Sequence, residues 1–256
     1  MVPLLPPEIM DHIISFVRSP GALFNCASVC HSWLSASRHN LLRAVTLYVG
    51  TKKCELFQQI FHDHTTRSWL RSTSYLELSG FLGTRPAMRF GLCAFVPRFA
   101  GQLPNLSVLV LSFLTWESQR LLYTALSTFS SVRKLCLSQV GFHTFSAFCR
   151  VLVALPALEH LESNVVVCGD ETDSPIGGYT SRLQLRHLAI GHGAYISRPL
   201  RDFLLMSPTK SSLCAIRELS VFSALTDDFY QSFSAVLTSL EVYWDSEHLI
   251  PIIYFH

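Results

Sequence analysis

The chain has 256 residues, 49% hydrophobic and 15% charged, against a charged share of roughly 25% in a typical soluble domain. Its 20 basic and 18 acidic residues leave a formal charge of +2, which lacks the electrostatic footprint of a nucleic-acid or anionic-membrane binder. No apolar run reaches the roughly 18 residues needed to cross a bilayer, so neither nucleic acid nor membrane is expected as a partner.

From the N-terminus, Pro7 suits a first helical turn and Glu8 favours the positive end of a helix dipole. Glu8 and Asp11 also interrupt the first apolar segment, which has no basic stretch before it and does not read as a secretory signal. A helix is expected over about Pro7 to Val17, with apolar residues in two adjacent stripes. Ile9, Ile13 and Phe16 form one; Met10, Ile14 and Val17 form the next. That arc is too wide for one packing partner. Ser19-Pro20-Gly21 breaks the chain, Ala22 to Val29 is expected as a second helix, and His31 to about Arg43 as a third. Three short helices bury too little surface to cover both stripes unaided, so a partner or the following residues must cover the second.

These residues resemble the F-box family. Leu5-Pro6-Pro7-Glu8-Ile9, then Ile13, then Leu23 with Ala27-Ser28-Val29-Cys30-His31-Ser32-Trp33, follow its Leu-Pro-x-Glu-Ile, hydrophobic-helix and Val-Cys-x-x-Trp segments in order and spacing. The resemblance implies that Leu5, Pro6, Ile9 and Ile13 contact a Skp-type adaptor. It implies that Leu23, Val29, Cys30 and Trp33 divide between that contact and packing between the helices. The docking domain is expected over residues 1–48 and a second domain over 49–256.

In the second domain an apolar-x-x-Leu-x-apolar pattern recurs, as in Leu106-x-x-Leu109-x-Leu111, Val132-x-x-Leu135-x-Leu137, Leu185-x-x-Leu188-x-Ile190, Ile216-x-x-Leu219-x-Val221 and Leu237-x-x-Leu240-x-Val242. Weaker copies centre on Leu76 and Leu161. Successive copies lie roughly 20 to 33 residues apart, near the roughly 20 to 29 of leucine-rich repeats. Helical patterns lie between them at Lys52 to Asp63, Glu117 to Thr128, Thr144 to Leu155, Pro199 to Met206 and Thr226 to Leu237. Alternating strand and helix, with strands that cannot bury an apolar side alone, predict an α/β fold: the N-terminal three-helix unit followed by an irregular leucine-rich-repeat solenoid, with a curved, mostly parallel sheet and outer helices. The chain resembles the F-box proteins with irregular leucine-rich repeats common in mushroom-forming fungi. From Cys168 to Arg182, where a helix is due, Gly169-Asp170-Glu171-Thr172-Asp173-Ser174-Pro175 predicts a mobile acidic loop. The apolar tail from Leu249 to His256 has no polar capping repeat, as expected of a truncated or degenerate end.

Side chains alternate along a strand, so residues flanking each central Leu should line the concave sheet face. Tyr75, Glu77, Lys134, His160, Glu162, His187, Glu218, Phe222, Glu241 and Tyr243 are the candidate ligand-binding residues of that lane. It holds four glutamates, one lysine and no arginine, so a neutral or basic ligand is expected there, not a phosphorylated one.

No G-x-S-x-G, P-loop, H-E-x-x-H or paired C-x-x-C motif occurs. Cys26, Cys30 and His31 lie inside the F-box pattern and are expected to pack rather than ligate zinc. All eight cysteines, Cys26, Cys30, Cys54, Cys93, Cys136, Cys149, Cys168 and Cys214, fall in core-like segments of a chain expected to work in a reducing compartment, cytoplasmic or nuclear. Neither catalytic activity, nor a metal, nor a cofactor is expected. The resemblance implies a substrate-recognition subunit of a Skp-cullin-F-box ubiquitin ligase, partnered by the adaptor, through it a cullin, and an unknown target protein. The alternative is an adaptor-binding scaffold without a degradative role.

Overall fold

The computed structural model describes residues 6–60, 67–80, 96–116, 120–168, 184–191, 216–221 and 238–242. Three helices open it: α1 (Pro7–Ser15), α2 (Pro20–Val29) and α3 (His31–Arg43). The backbone carbonyl of Pro6 accepts the Ile9 and Met10 N–H groups, which starts α1. Ser19 caps α2 by accepting the Ala22 N–H at 3.5 Å, with Pro20 as the first helical residue, where its missing N–H costs nothing.

Helix α3 passes directly into strand β1 (Ala44–Tyr48). Seven more strands follow: β2 (Tyr75–Ser79), β3 (Val108–Trp116), β4 (Lys134–Phe142), β5 (His160–Cys168), β6 (His187–Ile190), β7 (Glu218–Val221) and β8 (Ser239–Val242). All pair in parallel and in chain order within one sheet. The central leucines 76, 109, 135, 161, 188, 219 and 240 stand opposite one another across the whole ladder. Val45 of β1 extends that row by one strand that the sequence pattern does not contain.

Helices α4 (Lys52–Ile60), α5 (Arg120–Ser127) and α6 (Phe145–Ala154) occupy three of the intervals where helical periodicity predicts them. Thr144 caps α6 by accepting the Ala147 N–H at 3.1 Å. Leu122 and Leu126 of α5, and Phe148, Val151 and Leu152 of α6, join the inward-facing leucines of the sheet in one core. A 3-10 helix at Ser68–Ser72, which no periodicity marks, precedes β2. The expected helices at Pro199 to Met206 and Thr226 to Leu237, the acidic loop beyond Cys168 and the apolar tail lie outside the described residues.

Strands β3, β4 and β5 are longer than the repeat pattern, and each is interrupted at the same place. Phe113, Gln139 and Val165 have φ of 54°, 53° and 55°, in the left-handed region, which disfavours residues with a Cβ by roughly 1–2 kcal/mol each. Pairing stops at these residues and resumes at Leu114, Val140 and Val166. The side-chain phase shifts by one, so Leu114 and Trp116, Val140 and Phe142, and Val166 and Cys168 point into the core. The rings of Trp116 and Phe142 lie 5.8 Å apart in this second inner row.

Candidate functional site

The two stripes of α1 separate cleanly. Ile14 is fully buried and forms a small core with Leu23 and Ala36, against which Val17, Trp33 and Leu41 pack. Ile9 and Ile13 remain 46% and 45% exposed, and Phe16 70%. The stripe through Ile14 therefore holds the helices together, and the other faces outward. Pro6 is also exposed, and Leu5 lies outside the described residues.

Leu23 is buried in the small core, so it takes the packing half of its expected double role. Trp33 is half-buried, and its indole N–H donates to the Met10 sulfur at 3.2 Å, tying α3 to α1. Val29, 64% exposed, and the exposed Cys30 stand at the turn between α2 and α3. A hydrogen bond with the Ser32 hydroxyl, 3.1 Å away, and a second from the Trp33 backbone hold the Cys30 thiol below the ordinary range. Phe24 is 66% exposed as well. Sequence reasoning does not single it out, because α2 carries no one-sided apolar stripe to mark a face.

The helical unit is fastened to the sheet on several points. Arg38 stacks over the Trp69 ring at 4.3 Å. The Ser72 and Thr73 hydroxyls donate to the carbonyls of His39 and Leu42 at 3.3 and 2.8 Å, and the Ser74 N–H to that of Arg43 at 2.9 Å. Leu41 packs into the small core while its neighbour Leu42 packs against the large one. The orientation of the outward stripe is thereby set relative to the sheet.

On the sheet face opposite the core, the register brings the predicted lane together. Tyr75, Lys134, His160, His187 and Glu218 fall in one row and Glu77, Glu162 and Glu241 in the next. Their side chains pair across neighbouring strands. The Glu77 carboxylate accepts from Thr46 at 3.1 Å and Tyr75 at 3.3 Å. Glu162 accepts from the Lys134 ammonium at 2.5 Å and the Cys136 thiol at 3.1 Å. His187 bonds Glu218 at 3.1 Å, and its ring lies 5.5 Å from that of His160. Ser220 donates to Glu241 at 3.3 Å. Phe222 and Tyr243 lie outside the described residues.

The lane's chemistry is that of a hydrogen-bonded surface. Burial, followed by the Glu162 carboxylate, pushes the Cys136 thiol up to about 12, so it keeps its proton, donates a hydrogen bond to Glu162 and is a poor nucleophile at neutral pH. Burial, then the Glu77 charge, likewise raises the Tyr75 phenol. Among the described residues, no group of three His, Cys, Asp or Glu side chains could hold a metal ion, and no helix is long and apolar enough to cross a membrane.

Residues 2–47 match the F-box-like family model. The match covers α1, α2, α3 and most of β1, and F-box domains bind Skp-type adaptors. No curated protein matches the chain.

Proposed function

From the F-box-like domain at residues 2–47, we propose that the chain is a substrate-recognition subunit of a Skp-cullin-F-box ubiquitin ligase. The observation that carries the docking half is the outward stripe of Ile9, Ile13 and Phe16, together with the exposed Phe24 and Val29 of α2, on a unit whose own core buries only Ile14, Leu23 and Ala36. Covering such half-exposed side chains stabilises a complex by on the order of 1 kcal/mol each. An adaptor with an apolar groove is the matching partner, and a cullin is reached through it.

The sheet is the target-holding half. Its in-register parallel order and its spacing support a leucine-rich-repeat solenoid of irregular kind. It departs from the usual repeat in carrying apolar Leu114, Val140 and Val166 where an Asn or Cys is common. The lane of paired polar side chains is the surface assigned to the target. In this scheme the chain catalyses nothing itself; it raises the effective concentration of a target near a ubiquitin-loaded enzyme held by other subunits, in the cytoplasm or nucleus.

Co-expression with a Skp-type adaptor tests the docking half. The full chain is expected to co-purify with the adaptor, and Ile9→Glu with Ile13→Glu to lose it while the melting temperature hardly moves, since both residues are exposed. Ile14→Ala is the contrast: a buried Ile cut to Ala costs about 2–5 kcal/mol. Retention of the adaptor by the double variant would remove the outward stripe as the docking surface. Ubiquitination of a captured target separates a receptor from a non-degradative scaffold.

A further inference from the structure

Two neighbouring cavities run along the junction between the helices and the sheet. One, of about 320 Å³, is lined by residues of α1 and α3 that include Asp11 and His39. The other, of about 530 Å³, reaches from Val17, Arg18 and Leu23 to Ser74 and Tyr75. Both have Ser15, Asn40 and Arg43 in their walls, so they form two lobes of one open cleft. Its larger lobe combines an apolar floor, Val17 and Leu23, with the two arginines Arg18 and Arg43.

Neither of those guanidiniums has an ion-pair, hydrogen-bond or ring partner among the described residues; the salt bridges there are Arg133–Glu159, Lys134–Glu162 and His187–Glu218. Asp11, in the smaller lobe, pairs with neither. Arg43 ends a helix, where a cation commonly serves the exposed carbonyls. Here the Leu42 and Arg43 carbonyls are already taken by the Thr73 hydroxyl and the Ser74 N–H, so its guanidinium is not needed at those two. Two helix C-termini contribute roughly half a negative charge each, which two full positive charges outweigh.

We propose that this cleft binds an acidic peptide segment, with a carboxylate or phosphate held between Arg18 and Arg43 and an adjoining apolar side chain on Val17 and Leu23. A guanidinium presents a planar fork of donors that matches either oxyanion, and the two-lobed shape suits an extended segment more than a compact metabolite. Asp11 and Ser15 lie on the side of α1 away from Ile9 and Ile13, four-residue steps that follow one another along the helix. Cleft and outward stripe can therefore be filled at once. The proposal does not depend on adaptor docking.

The test uses the full chain and three fluorescein-labelled peptides of sequence Ala-Leu-X-Leu-Ala, with X phosphoserine, glutamate or glutamine, read by fluorescence anisotropy. The acidic probes are expected to bind about tenfold or more tightly than the glutamine probe, as charge-assisted pairing requires, and to weaken as salt rises. Binding of the phosphoserine probe alone identifies phosphate as the recognised group; binding of both shows that a carboxylate suffices. R18Q with R43Q should abolish the preference, and R18K with R43K, which keeps the charges without the fork, should restore part of it. Equal binding of all three probes, binding of none, or an unchanged preference in R18Q with R43Q overturns the proposal. Adaptor co-purification, measured on the same variants, is expected to be unchanged, so failure of either assignment is visible separately.

Discussion

Lys134 and Glu162 stand half-exposed on neighbouring strands, and each changes the other's acidity. The Glu162 carboxylate holds the Lys134 ammonium above the ordinary lysine range. Burial opposes ionisation of Glu162, yet hydrogen bonds from Lys134 and Cys136 hold its carboxyl below the usual range. A depressed carboxyl contributes stability that is fully present above its unfolded value, about 4.3, and is lost as pH falls through the folded value. A raised lysine contributes below about 10.4 and fades as pH climbs through its folded value. Because solvent screens a pair this exposed, Lys134→Met should cost no more than about 1 kcal/mol between roughly pH 5 and 10. Urea titrations at neutral pH and in strong acid check this: the gap between the two proteins should close in acid, and a constant gap would mean that Lys134 acts through packing. The lane's membership was legible from alternation about each central Leu. Its pairing was not, because which strands are neighbours, and in what register, is a property of the assembled sheet.

At the scale of elements, α1 and the interrupted strands teach opposite lessons. The two stripes of α1 follow from helical spacing in one short segment, and their different fates follow from how little core three helices can offer. The interruption at Phe113, Gln139 and Val165 has no local marker, since none of these residues favours the left-handed region; it is imposed by stacking of equivalent turns. Ser79 of β2 pairs with Ser112, so Gly80 follows at the corresponding point, and a Cβ there would lie 2.0 Å from the Phe113 carbonyl oxygen. The Leu114 side chain could shift, but the Phe113 carbonyl is backbone and can yield only if the strand ends part. Gly80→Ala is therefore expected to destabilise the protein by roughly 1–3 kcal/mol, measured by denaturant unfolding; a neutral result would show that the strand ends can part without cost.

For the whole molecule, the passage from helix to sheet comes between Arg43 and Ala44, at the expected end of the third helix. β1 lies almost wholly inside the F-box-like match, yet its Val45 and Leu47 belong to the large core. A fragment beginning at residue 49 would lack β1 and bare the edge of β2, whereas one beginning at residue 44 would keep that edge paired. Exposed strand edges template association. The shorter fragment is thus expected to elute as larger species in size-exclusion chromatography and to melt at a lower temperature. Equal behaviour of the two would mean that β1 contributes nothing to the sheet.

What the amino-acid sequence determined by itself is whatever depends on neighbours within a few turns: the three opening helices, the double apolar stripe, the recurring strand core and the side of each strand that faces it. Only the tertiary structure decided which stripe is left uncovered, that Val45 and its strand join the row of central leucines, and how the polar lane pairs. It also brought Arg18 and Arg43, 25 positions apart, to one cleft with Tyr75. Those outcomes depend on contacts between segments far apart in the chain, whose geometry exists only once the core has closed.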